Sequence, residues 1–383
     1  LADGAREHEN GLPLDVWIEE DYSLSLEEKF AAGFALHAAS HVFNPQLAPN
    51  ERALVEPDVF ATSAFRDRLG DVHQLLAASR EWYRAAFGPE GELSDLAWET
   101  VPFMQRPFLE LSSGQLVLLS PRAINLWLGD GFYYRLLESA QRRNTDEFSV
   151  SLTFTRFVGD LVEQWAVRLV KSAYPGERPA AAGRVHGEQL YDGRKLSPDV
   201  AIDHDPDLVL IEVRSGYLTR ELRVGGDVQA FHRDLDRLVL RKARQLCKRI
   251  SDLFEGRWSV PGVETAHLAR VWPLLVAADI TQTEPLRELI ERSLPVLYSY
   301  ARVQRLLVLD LEDLELLIGL VEHGTSLVQI LDQRQQGPYA ELELKRWILE
   351  DPASPGEHRP SFALERWERV RQAVTETLDL EDD

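Results

Sequence analysis

The sequence predicts an α/β protein: a mixed sheet flanked by helices, preceded by a mainly helical N-terminal domain. Three observations predict it. From about residue 146 to 309, helical and strand patterns alternate as helix, three strands, helix, strand, helix, strand. The segment Leu208-Val209-Leu210-Ile211-Glu212-Val213-Arg214 is nearly all apolar, which suits a central strand covered on both faces. Before residue 145, apolar positions recur mostly with the helical period. An apolar content of 44% over 383 residues supports one large domain or two modest ones. The expected division is 1–145, 146–350, and a linker with a final helix over 351–383.

The elements follow in order. Leu26 to Val42 carries the helical period, with Ser23 or Ser25 as its cap. Asp71 to Phe87 reads as another helix, stopped by Gly88-Pro89. Pro107–Leu111 and Gln115–Leu119 flank Ser112-Ser113-Gly114 and form a short β-hairpin. Helices are expected over 121–129 and 132–142, then a long one after Thr145 that carries Glu163 and stops at Pro175-Gly176. Past the loop Pro179–Gly183, strands run over 184–191, 198–203 and 208–214, the last two joined by a turn from Asp203 to Asp207. A helix covers 227–255. Val271 to Val276 is a fourth strand, started or interrupted by Pro273. Residues 284–301 are helical, and Val303 to Leu309 is a fifth strand. Helices over 311–322, 325–333 and 339–350 precede the linker Asp351–Gly356, and a helix over 361–378 leads to the acidic end Asp379–Asp383.

The bulk composition excludes several classes. A net charge of −21 argues against a general nucleic-acid binder, because phosphate neutralisation drives such binding. The single cysteine, Cys247, forbids an internal disulfide and any multi-cysteine metal site, and inside a helix it reads as a small core residue. No run approaches the ~20 apolar residues of a membrane span. Nothing near the start reads as a leader, so a reducing cytoplasm is expected; the chain begins at Leu1 rather than Met, and a preceding module stays open.

The chemistry gathers on the hairpin. Alternation along 208–214 sends Glu212 and Arg214 to the face of Leu208 and Leu210. An acid and an arginine inside such a strand are expensive to bury. Asp199 begins the neighbouring strand. Two carboxylates on adjacent strands with a cation nearby suit a divalent metal and a phosphodiester; an ion pair at a strand end is the plainer alternative. On the following helix, Arg233, Arg237, Arg241, Arg244 and Lys248 fall 4, 4, 3 and 4 apart, a basic stripe where a nucleic-acid backbone could lie or where surplus acids could pair.

These residues carry a resemblance. Pro198-Asp199 followed by Glu212-Val213-Arg214 resembles the signature of the PD-(D/E)XK, or restriction-endonuclease-like, nuclease superfamily. Gly159-Asp160-Leu161-Val162-Glu163 is similar to its first core helix, and Lys242-Ala243-Arg244-Gln245-Leu246 to its second. The resemblance covers about residues 146 to 310. It implies a metal-dependent nuclease acting on nucleic acid, DNA first, in the manner of prokaryotic defence or mobile-element effectors. The implied Mg²⁺ or Mn²⁺ ligands are Asp199, Glu212, the Val213 carbonyl and Glu163, with Gln245 orienting the site. Glu163 and Gln245 also read as ordinary helical residues. One position departs: the family's strand ends in Glu-x-Lys, and here the lysine position holds Arg214, which stays charged and suits phosphate binding rather than proton handling. The chain has six lysines against thirty-six arginines, and Lys195 or Lys242 is the expected replacement. If neither serves, the chain is an inactive nuclease fold used as a nucleic-acid-binding or scaffold module, its acidic or N-terminal helical surface meeting a protein partner.

Other patterns lead nowhere. Asp203-x-Asp205-x-Asp207 lacks the glycine and glutamate of a calcium loop and is a turn. His37 and His41 sit one turn apart without a third zinc ligand. There is no phosphate-binding or dinucleotide-binding glycine loop and no nucleophile elbow. Trp82, Trp98, Trp127 and Trp165 read as core; Tyr133-Tyr134 and Tyr298-Ser299-Tyr300 are stacking candidates.

Overall fold

The computed structural model describes residues 12–41, 54–55, 65–87, 101–119, 121–174, 183–219, 222, 228–278, 280, 284–294, 299–336, 343–350 and 356–378. Expected features at 88–89, 175–176, 179–182, 351–355 and 379–383, together with Trp98, Tyr298 and the His37 and His41 side chains, lie outside what is described. Two compact units divide the chain. The first takes residues to Phe157, Arg223–Gly226, and Trp367 onward; the second takes Val158–Leu222 and Asp227–Arg366. The expected limits at 145 and 350 do not coincide with these divisions. Among the described residues no helix is long and apolar enough to cross a membrane.

The first unit begins with α1 (Leu14–Tyr22) and α2 (Leu26–His41). Ser25 rather than Ser23 caps α2. Its hydroxyl accepts the Glu28 N–H at 3.2 Å, and the Glu28 carboxylate accepts the Ser25 N–H at 2.7 Å. After β1 (Leu54–Val55) the single helix expected over 71–87 is broken into α3 (Leu69–Leu76), β2 (Ala77–Ala78) and α4 (Arg80–Phe87). Ala77 and Ala78 pair in parallel with Phe108 and Leu109, and the Ser79 hydroxyl accepts the Trp82 N–H at 3.3 Å to restart the helix. A long-range strand pairing has overridden a local helical pattern. Next come α5 (Val101–Gln105), then β3 (Phe108–Glu110) and β4 (Leu116–Leu118), the expected hairpin, with Gly114 at φ 85 in its turn. The four strands order β1-β4-β3-β2. Finally α6 (Pro121–Leu128) and α7 (Asp130–Arg142) close a core around Phe65, Phe108, Leu116, Ile124 and Trp127. Lys29 is fully buried there, its ammonium 4.0 Å from the Trp127 ring and 3.9 Å from that of Phe132; burial first, and Arg135 second, hold its pKa well below the lysine range.

The long helix α8 (Val150–Ser172) carries Glu163 into the second unit. Its strands are β5 (Arg184–Gly187), β6 (Leu190–Tyr191), β7 (Lys195–Leu196), β8 (Val200–His204) and β9 (Asp207–Arg214). The strand expected over 184–191 is thus cut: Leu190 and Tyr191 leave β5 and pair with Lys195 and Leu196 in a separate small hairpin. The helix expected over 227–255 is α9 (Val228–Leu235) and α10 (Arg241–Phe254), joined through a π turn at Asp236–Leu240. Then follow β10 (Arg270–Ala277), α11 (Glu284–Ser293) and β11 (Leu307–Leu309), the last two shorter than expected. The helices α12 (Leu311–Glu322), α13 (Leu327–Gln336), α14 (Leu344–Glu350) and α15 (Ser361–Leu378) complete the chain.

The sheet order is β11-β10-β9-β8-β5. β8 runs antiparallel to β5 and β9, whereas β10 is parallel to β9 and β11, so the sheet is mixed. β10 runs through Pro273; this residue, with no N–H to give, falls in the gap between the Val271–Val303 bridge and the start of β11 pairing at Leu274. The aspartates at the β8–β9 turn serve structure: Asp203 accepts the Asp205 N–H at 3.1 Å, and Asp207 is held by Arg270 at 2.8 and 2.9 Å. Leu208 and Leu210 pack against Leu238, Ala243, Leu246 and Ile250, so that face of β9 looks onto the π turn and α10. Each such fully buried aliphatic side chain contributes about 1.5–3 kcal/mol.

Asp310 caps α12, and Asp313 answers it in a capping box. Burial, and then the charge of Asp310, push the Asp313 carboxyl up to about 7. A carboxyl with a raised folded pKa contributes stability below its unfolded value, about 4, and loses it as pH rises through 7. The loss from this one group is up to about 4 kcal/mol. Urea titrations at pH 5 and pH 8 should show a clear fall that Asp313→Asn flattens; equal pH dependence in both proteins would rule Asp313 out as the source.

Candidate active site

Three pieces of the second unit bring charged side chains to one place. The register of β8 on β9 pairs Val200 with Ile211, so one further step sets Asp199 across from Glu212, on the same face. Asp199 is held there: one carboxylate oxygen accepts the Val213 N–H at 2.6 Å, and among the described residues nothing bonds to the other. Burial raises its pKa, while the Val213 N–H and then Lys242 and Arg249 pull it down again.

Glu212 is fully buried and fully engaged. Lys242 donates to one oxygen at 2.6 Å, and Arg249 donates to the other. These cations lie seven positions apart, two turns of α10, and so share its inner face with Ala243, Leu246 and Ile250. Lys242 keeps 22% of its side chain exposed, whereas Arg249 keeps 5%. Lys242 can therefore meet a ligand from outside, whereas Arg249 is nearly buried.

Glu163 comes from α8, half-buried. Gly159, one turn earlier, lets this helix approach the end of β9 closely, because a Cβ there would stand 3.1 Å from the Ser215 hydroxyl. Burial, then the charges of Asp199 and Glu188, raise the Glu163 pKa. Glu188, just past β5, is raised by burial and then by Asp199. Neither carboxylate accepts a hydrogen bond among the described residues.

The expected residues are thus sorted. Asp199, Glu212, Glu163 and Lys242 act on one another by bond or by charge. Lys195 does not join them: it pairs with Asp192 at 2.8 Å and lies 3.8 Å from Asp252. Gln245 makes no bond to the carboxylates; it is exposed and lines a hollow of about 310 Å³ with Tyr191, Arg194, Lys195, Leu196, Lys248 and Arg249. Arg214 makes no bond to either carboxylate among the described residues; burial, and then the charges of Arg237 and Arg241, lower its pKa. Val213 serves Asp199 through its N–H. The basic stripe is partly neutralised: Arg237 pairs with Asp234 at 2.9 Å, and Arg241 and Arg244 pair with Asp236 at 2.8 and 2.9 Å. Arg233 and Lys248 stay exposed. The π turn inserts a residue into the helical period, so the stripe drawn on 3.6 residues is not one straight line.

Glu188 and Arg249 were not among the sequence candidates. Arg249 had a signal, an arginine on the same helical face as Leu246 and Ile250; Glu188 had none beyond following a strand. Of the aromatic candidates, Trp127 is buried, Tyr133 stacks on Phe154 and Tyr300 stacks on Phe254, so these pack rather than wait for a base. Burial raises the Cys247 thiol to about 12, as suits a core cysteine.

The group can be tested for a hard divalent ion. In donor type and charge it fits: four carboxylates face two cations, leaving two negative charges when all are ionised, and three of the acids have oxygens without hydrogen-bond donors. In arrangement it falls short, since among the described residues no three His, Cys, Asp or Glu side chains are grouped closely enough to hold a metal. Comparison with known proteins adds no assignment: no family model, no curated protein and no solved structure matches this chain.

Proposed function

We propose that this protein is a metal-dependent nuclease that hydrolyses phosphodiester bonds of nucleic acid, DNA first, on a restriction-endonuclease-like core. The observation that carries the reading is the unbalanced acidic group: Glu163, Glu188, Asp199 and Glu212 around Lys242 and Arg249, with two negative charges in excess. Two features support it: the order helix, three antiparallel strands, helix, parallel strand, and a lysine arriving from α10 where the strand supplies Arg214.

Asp199 and Glu163 would hold Mg²⁺ or Mn²⁺, with Glu188 nearby. Bound there, the ion would polarise a phosphate oxygen and ease ionisation of a water. The chain's own residues do the rest. The Val213 N–H aims the Asp199 carboxylate, and Arg249 anchors Glu212 from below. Lys242 presents a compact cation at the exposed side, where it can hold a phosphate oxygen or orient water. The carboxyls of Asp199, Glu163 and Glu188 sit above their ordinary range, so acidification removes their charge sooner than it would for exposed acids.

The test is cleavage of labelled duplex DNA, single-stranded DNA and RNA with Mg²⁺ or Mn²⁺, beside Asp199→Asn. We expect cleavage that Asp199→Asn reduces by at least about a thousandfold with unchanged thermal unfolding. Cleavage that survives in the variant removes Asp199 from the site. A second reading, an inactive fold serving as a nucleic-acid-binding or scaffold module, is favoured by one observation: both Glu212 oxygens are already taken by cations. Absence of both cleavage and metal-dependent thermal stabilisation would select it.

A further inference from the structure

The hairpin β6–β7 and the helix α10 enclose a hollow of about 310 Å³, at the low end of the ~300–1,000 Å³ that small-ligand sites occupy. The hairpin is fixed at both ends. Asp192 at φ 50 and Gly193 at φ 71 turn it. At its base the Ser197 N–H donates to the Gln189 carbonyl at 2.8 Å, and the Gln189 N–H donates to the Ser197 hydroxyl at 2.8 Å. Tyr191 supplies a rigid aromatic wall: its hydroxyl donates to the fully buried Asp252 at 3.0 Å, and its ring packs beside that of Trp258. Leu196, 43% exposed, adds apolar surface to the same lining.

The charges around this space are one-sided. Arg194, Lys195, Lys248 and Arg249 line it and no acid does, in a chain with 42 basic and 63 acidic residues. Lys195 is answered by Asp192. Arg194 and Lys248 pair with no acid and donate no hydrogen bond among the described residues. Arg249 is the least exposed of the four, with 5% of its side chain open. Its Nη1 is given to Glu212, while its Nε and Nη2 bond to nothing among the described residues. A buried guanidinium with unused donors, beside two unpaired cations, calls for one more negatively charged acceptor.

We infer that this hollow binds a nucleotide, its phosphate held by Arg194, Lys248 and the unused donors of Arg249, its base laid against Tyr191 and Leu196. Inorganic phosphate would satisfy the cations and leave the aromatic wall uncovered; a nucleotide uses both, as bases stack on aromatic side chains while cations track the phosphates. Because Arg249 also holds Glu212, the occupant lies beside the candidate active site. Reading it as a nucleotide of the strand being cut rests on the proposed function; the nucleotide site itself does not.

The experiment is calorimetric titration of the full chain, with metal removed by chelator, using adenosine monophosphate and ribose phosphate as probes. Adenosine monophosphate should bind at least about fivefold more tightly than ribose phosphate, which lacks the base. Arg194→Gln combined with Lys248→Gln should weaken that binding at least about tenfold. Both positions are exposed and unpaired, so this double variant should unfold at the temperature of the unaltered protein. Arg194→Gln alone, at the hairpin turn, decides if the double variant does not fold. Arg292→Gln combined with Arg346→Gln removes the same charge from exposed helix surfaces elsewhere and should change the affinity by less than about twofold. Absence of binding, equal binding of ribose phosphate, unchanged affinity in the variants at the hollow, or an equal loss in the charge-matched control overturns the inference. Displacement by an oligonucleotide without terminal phosphate assigns the hollow to a nucleotide within a strand, and displacement by mononucleotides alone assigns it to a free nucleotide; both uphold the site. No cleavage is read, so a protein that binds without cutting retires the nuclease reading alone, and one that cuts without binding retires this one alone.

Discussion

On the nuclease reading proposed above, replacing Lys242 with methionine is expected to lower the rate of phosphodiester cleavage by about 10²- to 10⁴-fold while leaving the protein folded. The expectation follows from position. Lys242 contacts the Glu212 carboxylate at 2.6 Å and still exposes 22% of its side chain, so its ammonium can touch both that acid and a ligand. Glu212 keeps Arg249 as a partner in the variant, which limits the structural damage. Lys195 provides the contrast. It is closer in sequence to Asp199, yet it pairs with Asp192 and stands beside Asp252 instead of the site. Lys195→Met should therefore retain activity within about threefold. The fall in Lys242→Met should appear in kcat more than in KM, since the group acts where charge develops. Equal losses in the two variants would remove the distinction between these lysines and with it the role given to Lys242.

The second large effect is on stability. Arg249→Leu should cost about 3–5 kcal/mol, because it leaves one oxygen of a fully buried carboxylate without its donor. Arg249 also presents its backbone carbonyl to the Trp258 indole N–H at 2.6 Å, a bond the substitution leaves in place, so the loss reports on the guanidinium. Glu212→Leu combined with Arg249→Leu should recover part of that cost, since apolar groups of similar size replace a buried pair well. Urea midpoints of the single and double variants measure both quantities. A single-variant cost below about 1 kcal/mol would mean that water or Lys242 already satisfies the carboxylate.

These two variants mark where sequence reasoning reaches and where it stops. The β8–β9 hairpin was legible because alternation is written in adjacent residues: Leu208, Leu210 and Glu212 share a face in the chain just as they do against α10. The long helices α8 and α10 were legible for the same reason, their apolar positions repeating every turn. Short elements were not. Nothing local separates Ala77-Ala78 from the helices around it; those residues became a strand because Phe108 and Leu109 lie alongside. Nor does local pattern show that Leu190 and Tyr191 leave β5 for Lys195 and Leu196.

What the sequence by itself determined is therefore the α/β class, the order of the main strands and helices, and the carboxylates Asp199 and Glu212 on adjacent strands; the register then set them on one face. Only the tertiary structure decided which cations meet them. Lys242 and Arg249 reach Glu212 across 30 and 37 positions of chain, and Arg214 bonds to neither carboxylate although it follows Glu212 by two. Such pairings depend on how α10 is rotated against the sheet and on the extra residue in the π turn. Backbone periodicity reports the face a residue occupies; it carries no information about which distant side chain arrives on that face.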